Sequence, residues 1–88
     1  MGYWVYMLRS EKDRSFYIGY TSNLENRVKK HQLGYSRYTR TKRPWKLVYF
    51  ETFDLKSEAI KRERFLKDQK NTTFYESLIK NWSGSSVG

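Results

Sequence analysis

Eighty-eight residues allow one domain, which buries only about 60–65% of the surface its unfolded chain exposes. Eight Tyr, five Phe and three Trp supply the large apolar area such a core needs, and their abundance excludes a disordered chain. The absence of Cys and the single His exclude a disulfide scaffold, a structural zinc site and a thiol nucleophile. Eighteen Lys and Arg against nine acids leave a net charge of +9, which favours a polyanionic partner, nucleic acid first.

In chain order, residues 3–9 and 16–21 are aromatic and β-branched and flank a polar stretch, so they predict a hairpin. With a turn of about four residues, Tyr6 and Tyr17 lie opposite each other on one face. The apolar lead of the chain is too short for a signal peptide or a membrane span, and the expectation is a cytoplasmic protein without membrane contact. Ser22 and Glu25 form a capping box and Gly34 fits a C-terminal cap, which predicts a helix over 23–33. Leu24 and Val28 define its inward face, with Arg27 and His31 beside them as an i, i+4 pair pointing toward the body.

Residues 35–46 have no apolar period and read as a loop. Arg37, Arg40, Lys42, Arg43 and Lys46, with the rings of Tyr38 and Trp45, are candidates to line a groove where cations meet phosphates and rings stack on bases. A third strand is predicted over 45–53, then a helix from 55 to about 70 with Asp54 as its cap. Glu63 falls within the apolar arc of Ala59, Ile60 and Leu66, and an inward carboxylate needs a partner. Thr73 and Glu76 suggest a final capped helix carrying Phe74, Leu78 and Trp82, so the domain is expected over 1–82, with a Gly/Ser tail over 83–88.

Three separate elements therefore turn ionisable groups inward: Tyr6 and Tyr17, Arg27 and His31, and Glu63. Burying them costs several kcal/mol unless they meet one another or a ligand, which a core of this size tolerates poorly. A lone carboxylate can hold a hard cation completed by water and phosphate oxygens. An Arg offers a permanent charge for the phosphoryl group under attack.

Val5-Tyr6-Met7, Tyr17-Ile18-Gly19, Arg27, His31 four residues later, and Glu63 within Ala59-Ile60-Lys61-Arg62-Glu63 together resemble the GIY-YIG endonucleases, over residues 3 to about 70. The likeness is to the small single-domain branch, similar to the catalytic domain of structure-selective repair nucleases. It implies an α+β fold with a three-stranded antiparallel sheet flanked by helices. It also implies metal-dependent hydrolysis of phosphodiester bonds in DNA, structure-directed and of repair or recombination type. On that resemblance Glu63 binds Mg²⁺ or Mn²⁺, Arg27 stabilises the developing phosphorane charge, and Tyr6 or Tyr17 orients or deprotonates water beside His31. Val5 stands where the family name has its first Gly, and Tyr20 stands where many members carry Lys. The alternative from another class is a nucleic-acid-binding module, on DNA or RNA, with little or no cleavage and targeted by a partner protein.

Overall fold

The computed structural model describes residues 2–35 and 37–85. Strands β1 (Tyr3–Ser10), β2 (Phe16–Thr21) and β3 (Trp45–Phe53) form one antiparallel sheet in the order β2-β1-β3. Among the described residues four helices accompany it: α1 (Leu24–Leu33), the single turn α2 (Arg37–Arg40), α3 (Lys56–Gln69) and α4 (Thr72–Ser85). The fold class is therefore α+β, as read from the sequence.

Alternation along β1 divides the core between the two faces of the sheet. Val5 and Met7 join Ile18, Tyr49, Ala59, Leu66 and Tyr75 beneath α3 and α4. Tyr6 and Leu8 join Trp45 on the other face, with Tyr17, Leu47 and the α1 residues Leu24 and Val28 packed against them. The β1–β2 register pairs Tyr6 with Gly19 and Leu8 with Tyr17. Tyr6 and Tyr17 consequently share a face but are diagonal neighbours, not directly opposite. The turn, closed by the Ser10 N–H on the Ser15 carbonyl at 2.8 Å and with Arg14 at positive φ, sits one residue further along the chain than a direct opposition requires, and that shifts each partner by two.

The predicted helices form, but their caps differ. Asn23, not Ser22, caps α1, its side chain accepting the Asn26 N–H at 3.1 Å. Gly34 closes that helix in the left-handed region at φ 85°, the conformation that favours glycine. Leu55 precedes α3 with no side-chain cap, so Asp54 lies one residue too early to serve. Asn71 accepts the Phe74 N–H at 3.2 Å, displacing the expected Thr73 box by two residues. The helix begun there continues to Ser85, past the expected boundary at 82, and residues 86–88 of the expected tail lie outside the described residues.

The segment expected to be a loop carries α2, and its anchors are buried. Trp45 is buried, donating its indole N–H to the Thr39 carbonyl at 2.8 Å, so it is a core ring and not a stacking platform. Gln32 of α1 exchanges hydrogen bonds with the Trp45 backbone, its Oε1 accepting the Trp45 N–H at 2.8 Å and its Nε2 donating to the Trp45 carbonyl. Ser10 Oγ donates to the Lys42 carbonyl at 2.7 Å and accepts the N–H groups of Lys12 and Asp13. The C-terminal part of the basic segment is thereby tied both to the hairpin and to α1.

Candidate active site

The polar centre forms where α1 crosses the face of β1 and β2. Tyr6, 1% exposed, points from the middle of β1, and its hydroxyl meets His31 Nε2 at 3.1 Å. The Tyr17 ring stands edge-on to the imidazole, with centroids 4.8 Å apart, and 6.2 Å from the Tyr6 ring. The Tyr6 hydroxyl is the hub, because the Arg27 guanidinium and the Tyr17 hydroxyl also lie beside it. Burial raises the pKa of Tyr6, and the neighbouring Tyr17 raises it further, while Arg27 opposes the shift. Tyr6 therefore stays a phenol. His31 moves the other way: burial lowers its pKa, and the positive charge of Arg27 adds to the effect. The imidazole is neutral at pH 7 and offers one acceptor nitrogen.

Arg27 lies at the flank of α1, not on its inward stripe. It is exposed overall, and interaction with the Tyr6 hydroxyl raises its pKa. Beside these groups opens a recess of about 160 Å³ lined by Tyr17, Arg27, Lys30, His31 and Tyr35. Tyr35, 72% exposed, stands at its mouth. Gly19 is what lets the two phenols approach, because a Cβ there would meet the Tyr6 hydroxyl at 2.8 Å and Tyr17 Cε2 at 3.3 Å. The glycine of the second triplet is thus a steric requirement of the tyrosine pair.

Glu63 comes from α3, on the opposite face of the sheet. Its side chain is 14% exposed and pairs with Lys67 one turn on, at 3.4 Å. β2 is an edge strand in contact with α3, and the recess beside the phenols is not lined by Glu63. No group of three or more His, Asp or Glu that could hold a metal occurs among the described residues. A lone carboxylate suits a hard divalent ion that keeps most of its waters, and Lys67 would have to yield its place beside Glu63 to such an ion.

The five cations of the basic segment do not share one groove. Arg37 and Arg40 are exposed on α2, and Arg40 and Arg43 line a cleft with Lys12 and Gln32. Arg43 also donates to the carbonyls of Arg40 at 3.0 Å and Gln32 at 3.4 Å, closing the ends of two helices. Lys42 faces the hairpin, 3.4 Å from Asp13. Lys46 alternates to the other face of the sheet, beside Arg9 and Arg14. The side chain of Tyr38 lies outside the described residues.

Sequence reasoning missed Thr39, which is 0% exposed and binds His31 Nδ1 at 2.9 Å. Its neighbours are basic and aperiodic, so no hydrophobic pattern marks it as buried. Lys30 and Tyr35 were missed for a similar reason, since a rim residue has no periodic signature.

The model of the GIY-YIG catalytic domain matches residues 2–77. A UPF0213 protein of Clostridium perfringens is 51% identical over 65 residues, covering 73% of this chain and 69% of its own. Another from Pediococcus pentosaceus is 40% identical over 81 residues, covering 91% and 84%. The solution NMR structure of a UPF0213 protein from Bacillus halodurans is similar with a TM-score of 0.57 and 36% identity, covering 91% of this chain and 84% of that one. None of these relatives' names states an activity. No helix among the described residues is long and apolar enough to cross a membrane.

Proposed function

The chain belongs to the GIY-YIG catalytic-domain family, and from that premise we propose that it is an endonuclease hydrolysing phosphodiester bonds in DNA with one divalent cation, Mg²⁺ or Mn²⁺. The observation that carries this reading is the Tyr6 hub, where a buried phenol meets a neutral imidazole, a guanidinium and a second phenol beside an open recess. A binding module has no physical need for such a centre.

The chemistry follows from which groups face the recess. Tyr17 lines it and is the phenol that touches the attacking water, whereas Tyr6 lies behind. The water gives its proton to the Tyr17 oxygen as the Tyr17 proton passes to Tyr6 and the Tyr6 proton passes to His31 Nε2. The hydroxide forms the new O–P bond, and the 3′ oxygen leaves with the electron pair of the bond that breaks. Arg27 meets the charge that builds on the non-bridging oxygens, a role suited to a group that is always charged. Glu63 would hold the cation, which would supply positive charge toward the leaving oxygen. Arg37 and Arg40 contact backbone phosphates, with Arg43, Lys42 and Lys46 as further contacts. No element among the described residues presents a row of base-reading side chains, so selection by DNA shape, as at branched or damaged sites in repair, fits better than sequence readout.

The second reading is a DNA- or RNA-binding module with little cleavage, and Lys67 beside Glu63 together with Tyr20 in place of a family Lys favours it. The test is cleavage of labelled single-stranded, duplex, flap and branched DNA with Mg²⁺, Mn²⁺ or chelator, running wild type beside Glu63→Gln. Metal-dependent cutting that the variant loses while retaining binding supports the nuclease. Tight binding without cutting of any substrate moves the assignment to the binding module.

A further inference from the structure

We propose that Thr39 is a positioning residue that holds His31 as its Nδ1–H tautomer, so that Nε2 is the acceptor facing Tyr6. The argument is a count of donors around one hub. Arg27 beside the Tyr6 hydroxyl has donors only, so it engages a lone pair of the phenol oxygen. The Tyr6 proton is then directed to one of its two other neighbours, the Tyr17 hydroxyl or His31 Nε2, and the imidazole nitrogen, at 3.1 Å, is the stronger acceptor of the two. A neutral imidazole whose Nε2 accepts must carry its proton on Nδ1, and a 2%-exposed N–H needs an acceptor. Thr39 Oγ1, at 2.9 Å, is that acceptor.

Thr39 is built for the task. It is fully buried, its carbonyl accepts the Trp45 indole N–H at 2.8 Å and the Lys42 N–H at 3.1 Å, and its position in space is thereby fixed from two sides. Free histidine favours the Nε2–H form, so the Nδ1–H form requires a fixed acceptor of this kind. The groups around the imidazole are Tyr6 from β1, Tyr17 from β2, Arg27 and Lys30 from its own helix, and Tyr35 beyond it. Among the described residues, the hydrogen-bond partner of Nδ1 is Thr39.

Tautomer assignment itself rests only on these contacts; the consequence for cleavage rests on the nuclease reading. His31 is the only histidine in the chain, so ¹⁵N-histidine labelling gives one residue's ring signals. The wild type is expected to show the Nδ1–H pattern near pH 7. Thr39→Val removes the acceptor and should shift the proton to Nε2, and Thr39→Ser should restore the wild-type pattern. An Nε2–H wild type, or a Val variant that keeps Nδ1–H, overturns the proposal; the first outcome needs no variant to fold. In cleavage, Thr39→Val should lower kcat at least about tenfold with KM within about twofold, and Ser should recover most of the rate. Unchanged kcat in the Val variant also overturns it. If the wild type cuts nothing yet shows the tautomer and its dependence on Thr39, the nuclease reading falls and this assignment stands.

Discussion

The Tyr6 hydroxyl and His31 Nε2 are 3.1 Å apart, joined across a strand and a helix that lie 25 residues apart in the chain. Because Arg27 and Tyr17 also act on the Tyr6 hydroxyl, one oxygen joins four of the polar side chains on this face of the sheet. Tyr6→Phe keeps the ring and deletes that oxygen. Its expected effect is a loss of cleavage of at least about a hundredfold, as for a group in the proton path. The variant should remain folded, destabilised by about 1–3 kcal/mol because the buried His31 nitrogen loses its partner. Single-turnover cleavage and urea unfolding, measured together, separate the two effects.

Gly19→Ala tests the steric side of the same arrangement. The new Cβ would lie 2.8 Å from the Tyr6 hydroxyl, inside any normal contact, and the edge of Tyr17 limits the escape. One of the two rings has to move. The expected cost is about 1–3 kcal/mol of stability, typical of overpacking. Cleavage should fall while DNA affinity stays within about twofold, since the exposed cations are untouched. Wild-type cleavage by a folded Ala variant contradicts the claim that glycine is needed for the tyrosine pair.

Much of this was legible in the sequence, because alternation and helical periodicity mark the three strands, α1, α3 and α4, and the residues that turn inward from them. Tyr6, Tyr17 and His31 were readable as one group on those grounds. The diagonal offset of the tyrosines was not, since the register depends on where along a polar stretch the turn closes, here between Ser10 and Ser15. Asn71 and Asn23 compete with nearby Thr and Ser for the caps, and sequence alone gives no order among residues of similar capping strength. Thr39 was invisible for a deeper reason. It is buried by contacts with His31 on α1 and Trp45 on β3, and the chain changes element on both sides of it, so no single period runs through the three residues.

The depressed pKa of His31 makes stability depend on pH in a defined direction. Burial and Arg27 both disfavour the imidazolium, so the folded pKa is below the ordinary 6.5. Between those two values the unfolded chain binds more protons than the folded one, and stability falls as pH drops through 6.5. Asp13 does not contribute in this window. Its Ser15 hydrogen bonds depress its pKa below the ordinary 3.8, so its stabilisation is lost only under stronger acid. The urea midpoint of the wild type should therefore fall between about pH 7.5 and pH 5, and His31→Gln should flatten that fall. An equal fall in both proteins removes His31 as its cause.

Arg62 on α3 supplies a control remote from the hub. Its guanidinium grips Glu51 of β3 with two forked bonds, Nε to Oε1 at 3.0 Å and Nη2 to Oε2 at 2.9 Å. Glu51 also accepts the hydroxyl proton of Tyr49, whose pKa is pushed up to about 12 by burial first and by that carboxylate second. Arg62→Ala leaves a half-buried carboxylate against a phenol. The expected loss is about 1–2 kcal/mol of stability, discounted because both charges retain some solvent. Below the unfolding transition, cleavage should match wild type. A Glu51→Gln, Arg62→Ala double-mutant cycle should return a favourable coupling, and a zero coupling would make the pair an independent surface contact.

The separation of the basic side chains yields the last prediction, because the two faces of the sheet cannot both meet one DNA backbone in the same way. Arg37 and Arg40 lie on α2, next in the chain to the Tyr35 that stands at the mouth of the recess. Lys46 projects on the other side with Arg9 and Arg14. Each phosphate contact releases counterions and steepens the dependence of log affinity on log salt by about 0.7–0.9. Arg37→Ala with Arg40→Ala should therefore weaken DNA binding across all sequences and reduce that slope by between one and two. Lys46→Ala should change it less. Salt titrations of the three proteins decide the matter: a slope that falls more for Lys46 would move the DNA track to the α3 and α4 face, leaving the Tyr6 hub without a substrate beside it.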